Sequence, residues 1–172
     1  AGIKILGVTY EEFSSLALSA KPGSEGLVLL PYLEGERTPN RPNARGVLSG
    51  ISLENSTPAN IARAFIEGVA WSMLDAVNQL KANKVTINRI LLIGGAAKNE
   101  AVSKIMAQVF GGEIYLPDSN EYVAHGAARQ PAWILNGTPR PPAWNFAIEK
   151  ITAPDQSNLF TSYENLKNQT TN

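Results

Sequence analysis

The chain has 172 residues, 44% of them hydrophobic, which is enough for one domain with a core and too few for two large ones. Fifteen Lys plus Arg offset fifteen Asp plus Glu, so no net field draws the chain to nucleic acid or to an anionic membrane, and neither is expected as a partner. The absence of cysteine and the presence of a single histidine exclude a disulfide framework and any thiolate or histidine-rich metal site, and fit a reducing, cytoplasmic setting.

No apolar run approaches the roughly 20 residues of a membrane span, and Ala1-Gly2-Ile3-Lys4 lacks the layout of a signal peptide. With no Met at its start, the chain reads as a piece of a longer protein. Residues 9–20 predict a short helix, with Thr9 as N-cap and Glu12 at the capping-box spacing, stopped by Lys21-Pro22-Gly23. Leu27-Val28-Leu29-Leu30 predicts a buried strand that ends on Pro31. Residues 31–46 then hold three prolines and two glycines, too many breakers for regular structure. A loop of that length inside a compact domain points to function or disorder. Residues 46–51 are expected to return the chain to the sheet.

Thr57-Pro58 announces the strongest helix, an N-cap followed by proline where its missing N–H is harmless. Ile61, Phe65, Val69, Met73, Ala76 and Leu80 recur along one face of it. Arg89-Ile90-Leu91-Leu92-Ile93 predicts another strand, ending on Gly94-Gly95-Ala96-Ala97-Lys98-Asn99. A helix over 100–110 follows, with Val102, Ile105, Met106 and Val109 inward and Gly111-Gly112 as its stop, then a strand Glu113-Ile114-Tyr115-Leu116. Strand, glycine turn, helix and strand make a βαβ unit, expected to be parallel and right-handed. The fold class is therefore α/β. A last helix is expected from near Asn120, carrying the small residues Ala124, Gly126, Ala127 and Ala128 and interrupted by Pro131. Residues 138–172 read as a surface-wrapping or frayed extension.

Ligands of open α/β sheets sit at the carboxyl ends of strands, where residues 94–99 lie. Glycines without Cβ atoms let a base or phosphate approach the backbone, and a helix start favours anions. Asn99 is placed either to cap that helix or to reach a ligand. The turn is neither a Walker A loop nor a Rossmann fingerprint, because the second Gly, the Ser/Thr after Lys98 and the Gly-x-Gly-x-x-Gly spacing are all missing. Among other polar residues, Glu36, Arg37 and Arg45 lie in the long loop; Glu36 and Arg37 are expected to brace it as a salt bridge, with contact of all three to phosphate or an opposite lobe as the alternative. Glu67 and Asp75 are expected on a solvated or capping face. Asp118 is a further carboxylate of note, His125 is expected to be a packing variant with contact to a ligand pocket as the alternative, and Trp71, Trp133 and Trp144 suit packing.

Five landmarks occur in order: Pro31-Tyr32-Leu33-Glu34-Gly35-Glu36-Arg37-Thr38-Pro39; Ala44-Arg45-Gly46; Ile66-Glu67-Gly68-Val69-Ala70; Gly94-Gly95-Ala96-Ala97-Lys98-Asn99; and Ala124-His125-Gly126-Ala127-Ala128. Together they resemble the C-terminal domain of the FGGY carbohydrate kinase family over about residues 22–137, and the first string is similar to xylulokinases in particular. The resemblance implies half of an actin-like, ribonuclease-H-like ATPase, with residues 1–137 as an incomplete nucleotide-facing lobe and 138–172 as an extension. It implies ATP with Mg2+ as cofactors and D-xylulose as substrate, or ribulose, gluconate or glycerol in other members. A non-catalytic binding or regulatory module is the alternative. By resemblance Gly94, Gly95, Ala96 and Asn99 are the nucleotide contacts. The Asp-x-Gly-Thr phosphate turn, the catalytic Asp and the sugar site belong to parts of the family's chain not present here, so no catalytic or metal-binding residue is expected among the 172. The incomplete sheet implies an unpaired edge and a possible homodimer.

Overall fold

The computed structural model describes residues 1–118 and 121–170; Asn120, where the last internal helix was expected to begin, and Thr171 and Asn172 lie outside them. Six helices are present in this part: α1 (Gly2–Leu6), α2 (Tyr10–Ser19), α3 (Pro58–Ala82), α4 (Glu100–Val109), α5 (Tyr122–Asn136) and α6 (Phe160–Gln169). The strands are β1 (Val28–Leu30), β2 (Val47–Ser49), β3 (Glu113–Pro117) and β4 (Ile148–Thr152). No helix among the described residues is long and apolar enough to cross a membrane.

Local chemistry explains where the helices start. At α2 the Thr9 hydroxyl accepts from the Glu12 amide at 3.2 Å while the Glu12 carboxylate accepts from the Thr9 amide at 2.8 Å, closing the expected capping box. These bonds hold the Glu12 carboxyl below the usual carboxylate range. At α3 the Thr57 hydroxyl accepts from the Asn60 amide, with Pro58 in the first turn.

Around α3 pack α1, α2, α4 and β1, while α6 closes over β1. The core joins Phe13 and Ala17 of α2, Leu30 and Tyr32, Ile66, Ala70, Trp71 and Leu74 of α3, and Ile105, Met106 and Val109 of α4. The buried side of α3 is rotated from the expected stripe: Val69, Met73 and Leu80 are exposed, whereas Ala62, Arg63, Ile66, Glu67, Ala70, Trp71 and Leu74 are buried. Small alanines and an ion pair fill this face, and apolar periodicity discounts both. One residue after Glu67, a Cβ built on Gly68 would stand 2.6 Å from the Leu29 carbonyl oxygen, so β1 runs this close to α3 only over glycine.

Glu67 is therefore no solvated carboxylate. Its Oε1 accepts from Arg63 Nε at 2.7 Å and from the Gly23 amide at 2.9 Å, and its Oε2 accepts from the Ser24 hydroxyl at 3.2 Å. Arg63 also donates to Gln108 Oε1 on α4 at 2.5 Å and to the Ala20 carbonyl at 3.2 Å. Asp75 is half-buried and pairs with Lys167 of α6 at 2.7 Å.

The βαβ unit is present, but its first strand is reduced to a bridge. Leu91 pairs parallel with Tyr115, through the Leu92 amide to the Tyr115 carbonyl and the Tyr115 amide to the Ile90 carbonyl, each at 2.9 Å. Ile90 and Leu92 face the core while Leu91 and Ile93 are exposed. Among the described residues Leu91 has Tyr115 as its one bridge partner, and parallel pairing is the slightly weaker kind per residue. The other edge of β3 pairs antiparallel with β4, from Glu113 opposite Thr152 to Pro117 opposite Ile148. On this ribbon Lys150 at 2.5 Å, then Tyr115 at 2.9 Å, hold Glu113 ionised below the usual carboxylate range.

Residues 138–170 are thus not a frayed tail: β4 extends the sheet, and Tyr163 and Leu166 of α6 enter the core because their apolar surface gains more from burial than the segment loses in freedom. Nor does Pro131 interrupt α5, which runs past it to Asn136 and stops at Gly137. The proline removes one N–H from the helix ladder without ending the helix. The loop over 31–46 is ordered by Glu36, whose side chain accepts from the Arg37 and Thr38 amides and whose backbone pairs with Arg41. It braces the loop by capping amides, not by an ion pair with Arg37. Arg45 donates to the carbonyls of Asn43 and Ala44, again within the loop.

Two stability predictions follow from these polar groups. Arg63→Ala leaves the Glu67 carboxylate buried without its cation and should lower the unfolding free energy by about 3–5 kcal/mol in urea titration; a loss below about 1 kcal/mol contradicts this account of the core. The Tyr163 hydroxyl, by contrast, is buried beside Ser72 and Tyr32 without a hydrogen bond of good geometry, and burial pushes it above the ordinary phenol range. Tyr163→Phe should therefore stay within about 1 kcal/mol of the parent or exceed it.

Candidate functional site

A cleft of about 470 Å³ opens at the carboxyl end of the 90–92 strand. One wall is the strand end and the following turn, with Ile93, Gly94, Gly95, Ala97 and Lys98. The opposite wall comes from the end of β3 and the start of α5, with Leu116, Pro117, Asp118, Glu121 and Tyr122, and β4 adds Glu149. The β3–β4 register explains the last contribution: Glu149 lies opposite Leu116, two residues before Ile151, which packs on the core from the same face of the strand.

The turn itself is a short 3-10 helix, Gly95–Lys98, closed by the Ala97 amide donating to the Gly94 carbonyl and the Asn99 amide donating to the Ala96 carbonyl, both at 3.1 Å. Gly94 has φ 99° and ψ 175°, a conformation open in practice to glycine alone. Gly95 differs. Its φ lies outside the left-handed region, and a Cβ built on it meets nothing within 4 Å. Neither backbone conformation nor packing within the chain demands a glycine there, and Gly95 is one of the residues that line the cleft.

Of the residues singled out in the sequence, Gly94 and Gly95 line the cleft, while Ala96 and Asn99 do not. Asn99 takes the capping role: its Oδ1 accepts from the Val102 amide at 3.1 Å, and its Nδ2 donates to the Ser14 hydroxyl of α2. That cap occupies part of the helix start that an anion would use. Asp118 was visible as a carboxylate, but its wall partners Glu121, Tyr122 and Glu149 were not, since only the β3–β4 pairing and the placement of the start of α5 bring them to the glycines. His125 packs its ring against Trp144 at 4.7 Å and Phe146 at 4.8 Å, and Phe146 in turn meets Tyr122 at 5.7 Å. It supports the outer wall from behind. Trp71 is a core residue, and Trp133 donates to the Thr138 carbonyl at 2.6 Å.

The charges decide what the cleft suits. Among the described lining residues Asp118, Glu121 and Glu149 stand against one cation, Lys98, so this lining is net negative and disfavours a polyphosphate. Apolar Ile93, Leu116 and Pro117 with Tyr122 suit a flat heterocycle, and carboxylates suit its amino group or the hydroxyls of a sugar. The geometry fits the nucleoside end of a nucleotide.

Residues 6–135 match the FGGY family of carbohydrate kinases, C-terminal domain. The chain is 35% identical to the xylulose kinase of Staphylococcus xylosus over 151 residues, which cover 85% of this chain and 31% of that protein. Among solved structures it is similar to xylulose kinase from Bifidobacterium adolescentis, with TM-score 0.87 and 44% identity over 96% of this chain and 33% of the other. It is also similar to gluconate kinase from Lactobacillus acidophilus, with TM-score 0.82 and 26% identity over 94% of this chain and 34% of the other. The chain spans about a third of the length of the relatives it matches.

The two glycines should separate in an unfolding experiment. Gly94→Ala forces a side chain into a glycine conformation and should cost about 1–3 kcal/mol. Gly95→Ala should be neutral or stabilising by up to about 1 kcal/mol; an equal loss at both positions contradicts the distinction drawn here.

Proposed function

The chain belongs to the FGGY family of carbohydrate kinases, and on that premise we propose that it supplies the adenosine side of the ATP site in a kinase that phosphorylates D-xylulose to D-xylulose 5-phosphate. Residues 1–137 act as the nucleotide-facing lobe and 138–172 as its extension, whose described part, 138–170, packs on it. The observation that carries the reading is Gly95, a glycine that the fold does not require and that lines an open cleft large enough for a nucleoside.

In this reading the 94–98 turn lies along the base and ribose. Gly94 and Gly95 leave the space a ring needs, with Ala96 behind them in the same turn. Asn99 holds the turn in place through its cap on α4. The carboxylates of the opposite wall accept from the ribose hydroxyls or the exocyclic amine, and they turn the triphosphate away toward the rest of the protein. Mg2+ and the phosphates are assigned there, with the sugar and the group that accepts its proton. Phosphoryl transfer depends on positioning and on charge neutralisation around the γ-phosphate, and this chain contributes the positioning. Support for xylulose is the likeness to xylulose kinases, and the likeness to a gluconate kinase sets the runner-up.

The full-length protein, purified and assayed for ADP release with MgATP, should turn over D-xylulose faster than ribulose, gluconate or glycerol. Preference for another sugar corrects the substrate, and no turnover on any of them favours a non-catalytic module. The isolated 172-residue chain should phosphorylate none of them above background.

A further inference from the structure

The turn beside the cleft is tethered at two points. At its start, the Leu92 amide and the Ile90 carbonyl bind the preceding strand to Tyr115 of β3. At its end stands Asn99, whose amide bonds to two different helices: Oδ1 to the first turn of α4, and Nδ2 to Ser14 on α2, 85 residues away in sequence. Between these points Gly94, Gly95 and Ala96 are exposed, and the turn is closed by its own bonds, Ala97 amide to Gly94 carbonyl and Asn99 amide to Ala96 carbonyl. The second tether therefore fixes its far end against the rest of the fold.

The donors and acceptors at this tether leave one arrangement. The Ser14 hydroxyl spends its single proton on the Tyr10 carbonyl at 3.0 Å, so toward Asn99 it presents only lone pairs and requires a donor. The Val102 amide on the other side requires an acceptor. An Asn99 amide rotated by half a turn would set oxygen against oxygen and N–H against N–H, losing both bonds. Helix α2 is a firm base for this lock, closed at its start by the Thr9–Glu12 capping box and anchored by buried Phe13 and Ala17.

We propose that the Ser14 hydroxyl is a positioning residue for nucleotide binding: it fixes the Asn99 amide as the cap of α4 and thereby sets the turn that forms one wall of the cleft. The inference rests on the reading of that cleft as the adenosine site. Ser14 does not line the cleft, and its hydrogen bonds go to the Tyr10 carbonyl and to Asn99, so it acts through Asn99.

The test uses the full-length enzyme with three substitutions: Ser14→Val, which removes the hydroxyl, Ser14→Thr, which restores it on the same shape, and Gly95→Val, which fills the cleft directly. KM for ATP, KM for the sugar, kcat and the calorimetric Kd of ATP are measured for each. Loss of one hydrogen bond of ordinary strength corresponds to about a fivefold change. Ser14→Val should therefore raise the Kd and KM of ATP about fivefold, with kcat and the sugar KM nearly unchanged, and Ser14→Thr should return both ATP constants to within about twofold of the parent. Unchanged ATP constants in Ser14→Val, while Gly95→Val raises them, overturn the Ser14 inference and leave the cleft reading standing. Unchanged constants in both overturn the cleft reading as well. Equal losses for ATP and sugar, or failure of Ser14→Thr to rescue, assign Ser14 to general stability and also overturn the proposal. If Ser14→Val yields no folded protein, Ser14→Ala, which suits a helix interior better, is read in the same way.

Discussion

The buried pair of Arg63 and Glu67 is the interaction on which the rest of the fold depends. Two opposite charges sealed from water are tolerated only when every remaining donor and acceptor has a partner, and here those partners come from separate segments. Ala20 ends α2, Gly23 and Ser24 make the turn before β1, and Gln108 lies on α4. The requirement sets the register of three helices and a strand at one point on α3. Gln108 extends it further, because its carbonyl accepts from the Gln156 amide at 2.8 Å and so ties in the segment leading to α6. Apolar packing is tolerant of small slips; a saturated ion pair is not.

That constraint reaches the cleft through α4. With Gln108 held near one end and Ile105, Met106 and Val109 sunk in the core, the direction of the helix is set, and so is the place of Asn99 at its other end. The turn then hangs between Asn99 and the bridge at Leu91. Such a site is built from rigid elements at its two edges and open backbone between them. This suits a ligand that is bound by shape more than by charge, and the three carboxylates of the lining act in the same direction by disfavouring phosphate.

How much of this was legible in the sequence depends on how local each cause is. Thr9 with Glu12, and Thr57 with Pro58, are signals complete within four residues, and both helices begin where they indicate. The inward face of α4 was legible too, since Ile105, Met106 and Val109 are large and apolar. The buried face of α3 was not, because Arg63, Glu67 and several alanines occupy it, and no periodic measure of hydrophobicity assigns an ion pair to a core. The strand over 89–93 has the right composition, yet its pairing depends on a segment distant in sequence, and among the described residues it is the single bridge from Leu91 to Tyr115. In the cleft the glycine wall was readable from its position at a strand end. The opposite wall was not, since it is assembled by pairing between residues 113–117 and 148–152. The contact between Ser14 and Asn99 likewise exists only in three dimensions.

The position of β4 sharpens what the extension does. The family match ends at residue 135, and a reading confined to that stretch would leave β3 with the Leu91 bridge as its only neighbour. Pairing with β4 covers the second edge of β3 along its whole length, and the Asp118 amide continues the pattern by donating to the Ala147 carbonyl at 2.9 Å. Pro117 and Asp118, which form part of the cleft wall, are therefore held in place by residues beyond the match. Glu149 enters the cleft on the same strand, and Phe146 and Trp144 brace Tyr122 and His125 from behind. A segment that sequence composition marks as a polar tail thus completes the wall facing the glycines, and the cleft would lose one side without it.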